Sequence, residues 1–94
     1  MTWTVVYTKT AGEAIRKLDP SIRERVRHAV ELLSTDPLRG KPLAFSMKGL
    51  RSWRTGDWRI VYKVEQHRVT VIVVSVGHRR DVYEKVSRLL DDRS

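Results

Sequence analysis

The most apolar part of the chain reads Asp57-Trp-Arg-Ile-Val-Tyr-Lys-Val-Glu-Gln-His-Arg-Val-Thr-Val-Ile-Val-Val-Ser-Val76. Its first half alternates apolar and polar side chains, which is the two-residue period of a β-strand. Its second half carries valine on both faces, a composition typical of a strand that lies inside a sheet. A two-residue turn at Gln66-His67 would join the halves into a hairpin and place Arg59 opposite Val74, among aliphatic side chains.

A third strand precedes this hairpin, in the segment from Arg51 to Thr55. A turn centred on Gly56-Asp57 would place Arg54 directly opposite Arg59. Two arginines that face each other across a sheet repel, so this pair conflicts with the stability of the strands that carry it. Conflicts of this kind are typical of functional sites. We therefore expect an anionic ligand to bind between Arg54 and Arg59.

The N-terminal part of the chain predicts one strand and two helices. Residues 3–8 alternate aromatic or aliphatic residues with threonine, which is typical of a strand. Thr10 and Glu13 have the spacing of a capping box and would open a first helix. The second helix would begin at Asp19-Pro20 and end before Asp36-Pro37, because a residue that precedes proline disfavours helical backbone.

The C-terminal part adds a long loop and a last helix. Glycine and proline make residues 38–49 a loop, whose length is typical of a segment that contacts a ligand. Its expected anchors in the core are Leu43, Phe45 and Met47. The last helix would run from Asp81 to about Asp91, with an apolar side formed by Val82, Val86, Leu89 and Leu90.

These elements predict a single small α+β domain over residues 1–94, in the order β-α-α-β-β-β-α. The expected sheet is mainly antiparallel, with the N-terminal helical hairpin packed on one face and a C-terminal helix after the last strand. The other face would be open and basic. Because the chain has no cysteine, no apolar leader and no apolar run of membrane-spanning length, we expect a soluble cytoplasmic protein.

The chain carries a net charge of +8, and the excess is concentrated in one region. Residues 38–80 hold ten lysines and arginines against Asp57 and Glu65, whereas the segments before and after hold +1 and −1. A basic surface interleaved with Trp53 and Trp58 indicates a polyanionic partner, and nucleic acid fits best. An acidic protein partner, or a basic surface that serves only solubility, is the alternative at this point.

The candidate functional side chains are cationic and phenolic. The sequence shows no spacing of metal ligands, no nucleophilic triad and no glycine-rich phosphate loop, and nothing in it calls for a cofactor. An arginine fork binds phosphate oxygens and stabilises the pentacoordinate transition state of phosphodiester cleavage. If the substrate is RNA, its own 2′-hydroxyl can attack, so the protein needs neither a nucleophile nor a metal.

Two overlapping sets of residues are expected to act on such a substrate. The candidate catalytic residues are Arg54, Arg59, His78, Arg79 and Tyr83. The candidate RNA-binding residues are Lys48, Arg51, Arg54, Lys63 and Arg80. Histidine titrates closest to neutral pH, which suits His78 to proton transfer, although a Gly-His-Arg turn is equally compatible with a surface role. Tyr83 either stacks on a base or anchors the last helix to the sheet.

Several motifs together resemble one known family, the RelE/ParE superfamily of bacterial and archaeal type II toxins. The similarity covers nearly the whole chain. Its motifs are Leu18-Asp-Pro20, Asp36-Pro37, Lys48-Gly-Leu50, Trp53-Arg54-x-Gly56-Asp57-Trp58-Arg59-Ile-Val-Tyr62 and Val76-Gly-His-Arg-Arg-Asp-Val-Tyr83. The last two motifs are specific in combination.

Resemblance to the RelE branch implies a ribosome-dependent endoribonuclease that cuts mRNA in the A site of the 70S ribosome by metal-independent attack of the 2′-hydroxyl. It also implies a cognate RelB-like antitoxin that covers the basic face, in a toxin-antitoxin hetero-oligomer that binds operator DNA. By the same resemblance, Arg59 stabilises the phosphate, Arg79 is the general acid and Tyr83 stacks on a base.

The chain departs from the RelE pattern at the general base. The best-known RelE enzymes carry lysines on the strand before the Gly56 turn, whereas this chain has Leu50 and Ser52 at about those positions. The candidates for the missing base are Lys48, Arg51 and His78. The ParE branch, which poisons DNA gyrase without cutting RNA, is the alternative interpretation. A non-catalytic co-repressor that only binds an antitoxin is a third.

Overall fold

The computed structural model describes residues 2–44, 47–78 and 81–91, and for residues 85 and 89–91 it describes the backbone only. The elements follow in the order β1 (Thr4–Tyr7), α1 (Lys9–Arg16), α2 (Pro20–Thr35), β2 (Lys41–Pro42), β3 (Arg51–Thr55), β4 (Trp58–Glu65), β5 (Thr70–His78) and α3 (Asp81–Asp91). The predicted order is confirmed except for the two-residue β2, which the sequence analysis assigned to a loop. Among the described residues, no helix is both long and apolar enough to cross a membrane.

The five strands form one sheet in the order β1-β5-β4-β3-β2. The valine-rich β5 has a strand on each side, as its composition predicted. β1 runs parallel to β5, whereas the other three pairs are antiparallel. The predicted α+β class with a mainly antiparallel sheet is therefore confirmed.

The turn between β3 and β4 has the predicted register. Thr55 pairs with Trp58, and Arg54 pairs with Arg59. Gly56 adopts the left-handed conformation, with φ of 61°, that a tight hairpin turn of this kind requires. The glycine-containing turn was sufficient to predict this pairing from the sequence.

The connection between β4 and β5 is longer than predicted. A 3₁₀ turn at Gln66–Arg68 ends in Val69, which has a φ of 48°, and the pairing resumes with Glu65 opposite Thr70. The two-residue turns of types I′ and II′ both need positive φ at the first central residue, and glutamine does not favour that conformation. The prediction of a two-residue turn is therefore wrong.

A register shift within the same strand pair moves Arg59 further from its predicted partner. The shift falls between Val61 and Tyr62, where β5 carries one extra residue. Together with the longer turn, it places Arg59 opposite Gly77 rather than Val74. Arg59 therefore faces a position without a side chain, and the expectation of an aliphatic partner is wrong.

Proline and threonine residues determine the ends of the first two helices. α2 starts with Pro20 after Asp19 and ends at Thr35, as predicted. α1 begins earlier than predicted, because Thr8 rather than Thr10 is its N-cap and accepts the N–H of Ala11 at 3.1 Å. The Thr8 hydroxyl also donates to β5 at 2.7 Å, so it joins the helix start to the sheet.

The sheet has two covered faces. We call the face beneath α1 and α2 the α2 face; its buried residues are Ala11, Val26, Ala29, Val30, Leu33, Ile60, Tyr62, Val71, Val73 and Val76. We call the opposite face the α3 face; its buried residues are Leu50, Val61, Val82 and Val86. The expectation that this second face is open is wrong, because Val82 and Val86 pack α3 onto it.

The loop before β3 also packs on the α3 face. Leu43 and Met47 contact the small core there, which confirms them as anchors. Phe45, the third predicted anchor, lies outside the described residues. Val82 and Val86 are buried as predicted for the last helix, and the side chains of Leu89 and Leu90 are among those not described.

The buried Tyr62 hydroxyl connects the core to the segment before β2. It donates to the carbonyl of Pro37 at 2.7 Å and accepts the N–H of Gly40 at 2.9 Å. Gly40 cannot be replaced by a residue that has a side chain, because an added Cβ would lie 2.5 Å from that hydroxyl oxygen. Burial raises the pKa of Tyr62, so the phenol keeps the proton that it donates.

We expect Tyr62→Phe to lower the free energy of unfolding by about 1–3 kcal/mol, because it leaves the buried polar groups of Pro37 and Gly40 without their partner. Urea unfolding measures this difference. Tyr7→Phe is the matched control, since Tyr7 is 46% exposed, and it should change stability by less than about 0.5 kcal/mol. Equal stability of the two variants would contradict a stabilising role for the Tyr62 hydroxyl.

Candidate functional site

Arg54 and Arg59 pair across β3 and β4 on the α3 face, and Arg59 pairs with Gly77 of β5 on its other side. Arg54 is exposed and donates from Nε to the carbonyl of Gly56 at 2.9 Å, whereas Arg59 is half-buried. Within the described ranges, neither guanidinium forms an ion pair with a carboxylate. Two like charges thus meet without neutralisation, and an anion between them would be favoured.

Gly77 allows α3 to begin close to the sheet. A Cβ at Gly77 would lie 2.7 Å from Cβ of Val82, so the first turn of the helix occupies the space that a side chain would need. The next residue, Tyr83, extends to β3, where its hydroxyl lies 2.8 Å from that of Ser52. The Arg59 guanidinium carbon lies 5.5 Å from the centre of the Tyr83 ring, which is a cation–π distance.

The structure thus brings together three of the predicted catalytic residues, Arg54, Arg59 and Tyr83. The contact of Ser52 with this group was not predicted from the sequence. Part of the signal was present, because Ser52 lies two residues before Arg54 and strand alternation puts both on one face. The partner Tyr83 is 31 positions away, and no local pattern indicates a contact over that separation.

His78 and Arg51 lie on the α2 face instead. His78 pairs with Trp58 across the sheet, and the two rings meet edge to face with centroids 5.2 Å apart. Arg51 donates from Nη1 to the carbonyl of Gly40 at 2.7 Å and to a second loop carbonyl at 3.3 Å. The structure does not bring these two predicted residues to the arginine pair.

The other predicted residues are spread around the site. Lys63 lies on the α3 face, further along β4, with its ammonium 3.2 Å from the carboxylate of Glu65. Lys48 is exposed in the loop that packs on the α3 face. Arg79 and Arg80 lie outside the described residues.

Trp53 and Trp58 were expected on the basic surface, and this prediction is wrong. Both are half-buried on the α2 face, against the core beneath the helices. The guanidinium carbon of Arg39 lies 5.6 Å from the Trp53 ring centre. Each tryptophan is adjacent in sequence to one arginine of the pair, so strand alternation places it on the opposite face.

The site offers cations and a phenol ring in place of acids. No group of three His, Asp or Glu side chains in the part of the chain that the structure describes is arranged to hold a metal ion. A half-buried guanidinium beside an exposed one is suited to binding two oxygens of a phosphate, since arginine donates in a planar fork. The Tyr83 ring borders this candidate anion site on the side of Arg59.

Known proteins of similar sequence are toxins. The model of a family described as the ParE toxin of the type II toxin-antitoxin system parDE matches residues 5–83. Toxin RelG of Mycobacterium tuberculosis is 39% identical over 87 residues, which cover 90% of this chain and 100% of RelG. The mRNA interferase toxin RelE of Escherichia coli is 33% identical over 99 residues, which cover 96% of this chain and 100% of that toxin.

Solved structures give the same result. The toxin-antitoxin complex RelBE2 of M. tuberculosis contains a chain that superposes with a TM-score of 0.80 at 37% identity, covering 84% of this chain and 93% of that one. A chain of the intact E. coli RelBE complex superposes with a TM-score of 0.64 at 26% identity, covering 81% and 95%. The resemblance seen in the sequence motifs is confirmed: the chain belongs to the RelE/ParE superfamily of type II toxins, in its RelE-like branch.

Proposed function

We propose that this type II toxin is an endoribonuclease that cleaves mRNA in the A site of the 70S ribosome and thereby inhibits translation. The observation that carries the proposal is the pair Arg54 and Arg59, which face each other beside Tyr83 with no carboxylate paired to either among the described residues. The E. coli relative is named an mRNA interferase, which supports the same class of reaction. The match to RelG over nearly the whole chain supports the RelE branch.

In the proposed reaction the 2′-hydroxyl of the RNA attacks the adjacent phosphorus. A bond forms between the 2′-oxygen and phosphorus while the bond to the 5′-oxygen breaks, which leaves a 2′,3′-cyclic phosphate and a 5′-hydroxyl. Charge increases on the two non-bridging oxygens in the transition state. Arg59 stabilises that charge and Arg54 holds the same phosphate, so the protein supplies no nucleophile and needs no metal.

Two protons must move in this reaction. Arg79 donates one to the 5′-oxygen, an assignment that rests on the family motif. Of the three candidate bases, Arg51 and His78 lie on the α2 face, whereas Lys48 belongs to the loop that packs on the α3 face. We therefore choose Lys48 as the residue that accepts the proton of the 2′-hydroxyl.

Tyr83 and the remaining cations position the RNA. One face of the Tyr83 ring contacts Arg59, so a nucleotide base would stack on its other face. Lys63 and Arg80 contact backbone phosphates, which makes binding weaker as the salt concentration rises.

We also propose that a RelB-like antitoxin neutralises this toxin by covering the α3 face. Two of the similar solved structures are toxin-antitoxin complexes, which supports a partner of that type. The hetero-oligomer would bind operator DNA and repress its own synthesis. We place both activities in the cytoplasm, where mRNA is translated.

Primer extension on a message translated in a purified system tests the nuclease. We expect cuts within codons when the toxin and ribosomes are both present, and none when ribosomes are omitted or when Arg79→Ala replaces the parent protein. Cuts that are equally strong on free RNA would contradict the ribosome dependence. Unchanged cutting by Arg79→Ala would contradict its role as general acid.

Inhibition of DNA gyrase is the second candidate function, because the matching family model is that of ParE. A supercoiling assay with purified gyrase separates the two functions. Growth arrest without mRNA cuts but with loss of supercoiling would replace the nuclease proposal. The absence of mRNA cuts, of supercoiling loss and of growth arrest would leave antitoxin binding and co-repression as the function.

A further inference from the structure

Ser52 is a buried polar residue beside the proposed reaction site, and the mechanism above gives it no role. It lies on β3 opposite Val61, faces α3, and is 8% exposed. Its hydroxyl is 2.8 Å from the hydroxyl of Tyr83, and either group can be the donor. A serine hydroxyl does not ionise near neutral pH, so Ser52 supplies neither charge nor a general base there.

The Tyr83 side chain is held at both ends. At its backbone end, the first turn of α3 packs on Gly77 through Val82. At its hydroxyl end it meets Ser52. A ring fixed between β5 and β3 must lie over β4, the strand that lies between them and carries Arg59.

The ring in turn limits the positions open to Arg59. A free arginine side chain samples many rotamers, and ordering it costs conformational entropy. With its guanidinium carbon 5.5 Å from the ring centre, Arg59 stacks on a ring whose long axis, from Cβ to the hydroxyl, is held in place by the Ser52 contact. Catalytic charges stabilise a transition state best when they are oriented before the substrate arrives.

We propose that Ser52 is a positioning residue that orients the Arg59 guanidinium through the Tyr83 ring. This inference rests on the proposed nuclease function for its kinetic consequence, but the geometric part stands without it. In this proposal Ser52 acts on the reaction only through Tyr83 and Arg59. Its contribution is to keep the tyrosine hydroxyl at β3.

A double-mutant cycle tests the coupling. Ser52→Ala and Tyr83→Phe should each lower the single-turnover cleavage rate on programmed ribosomes by about fivefold, the effect of losing one neutral hydrogen bond. The double variant should also be about fivefold slower, because the second substitution removes a bond that is already lost. About a 25-fold loss in the double variant would show independent roles and overturn the proposal.

Nuclear magnetic resonance tests the orientation without any cleavage. In the parent protein the Nε–H proton of Arg59 should be shifted by the current of the Tyr83 ring, and Ser52→Ala should reduce that shift. Ser34→Ala is the matched control: Ser34 is also 8% exposed and loses one hydrogen bond, to the Glu31 carbonyl, but it lies in α2. It should leave the Arg59 resonance and the cleavage rate unchanged.

The two measurements distinguish the failure of each idea. If the parent protein cuts no RNA but Ser52→Ala still moves the Arg59 resonance, the nuclease proposal fails and the positioning role stands. If the parent cuts RNA and Ser52→Ala changes neither the resonance nor the rate, the nuclease stands and the positioning role is overturned. A loss of stability equal to that of Ser34→Ala, without a shift of Arg59, would also overturn it.

Discussion

Arg59→Ala should lower the rate of ribosome-dependent mRNA cleavage by about a hundredfold to a thousandfold, because removing one oriented donor to the developing charge costs about 3 kcal/mol of transition-state stabilisation. Arg59 is half-buried and forms no ion pair with a carboxylate among the described residues, so its charge remains available to an anionic ligand. Single-turnover primer extension at saturating toxin measures the rate. The same variant should no longer arrest growth when it is expressed in cells.

The folded state should tolerate this substitution. The guanidinium contributes a cation–π contact with Tyr83, worth about 0.5–1 kcal/mol, and it repels Arg54 by a comparable amount, so the two effects nearly cancel. Arg68→Ala is the control, since it removes the same charge from an exposed turn at the far end of the β4-β5 hairpin. It should cut at nearly the parental rate. Parental cutting by Arg59→Ala at equal concentration would refute the phosphate-binding role.

The Arg54 and Arg59 pair was predictable because its cause is local. A glycine-containing turn of two residues fixes the register on both sides of it, and the pair lies one step from that turn. The β4-β5 register was not predictable in the same way. No sequence signature indicates the 3₁₀ turn with its left-handed Val69, and none indicates the extra residue in β5. Together they move the partner of Arg59 by three residues, from Val74 to Gly77.

The site depends on a contact that the sequence did not indicate. Composition and motifs indicated the arginines, Tyr83 and the basic segment. The side of the sheet on which each residue lies depends instead on the strand register and on where α3 packs. His78 lies on the α2 face because it pairs with Trp58, and the shift in register decides that pairing. The candidate site forms on the α3 face because α3 packs on part of that face and brings Tyr83 into contact with Ser52.

The position of α3 itself depends on Gly77, because the first turn of the helix packs where a side chain at that position would lie. Gly77→Ala should lower the free energy of unfolding by about 1–3 kcal/mol, because the new Cβ would lie 2.7 Å from Cβ and 3.2 Å from Cα of Val82. These atoms belong to the helix backbone and its first branch, so no rotamer change relieves the overlap. The first turn of α3 must move away from the sheet.

Tyr83 follows Val82 and must move with it, so the same substitution should also slow cleavage by about a hundredfold, the cost of misplacing a catalytic group by about 1 Å. Urea unfolding and single-turnover cleavage, measured on one preparation, give both effects. Gly12→Ala is the matched control: outside the chain neighbours and the backbone of its own helix, no atom of the described residues lies within 4 Å of the added Cβ. Alanine in α1 should therefore raise stability by about 0.5–1 kcal/mol without slowing cleavage. Parental stability and cleavage in Gly77→Ala would show that α3 does not need its close approach to β5, and the arrangement of Tyr83 over Arg59 would then require another cause.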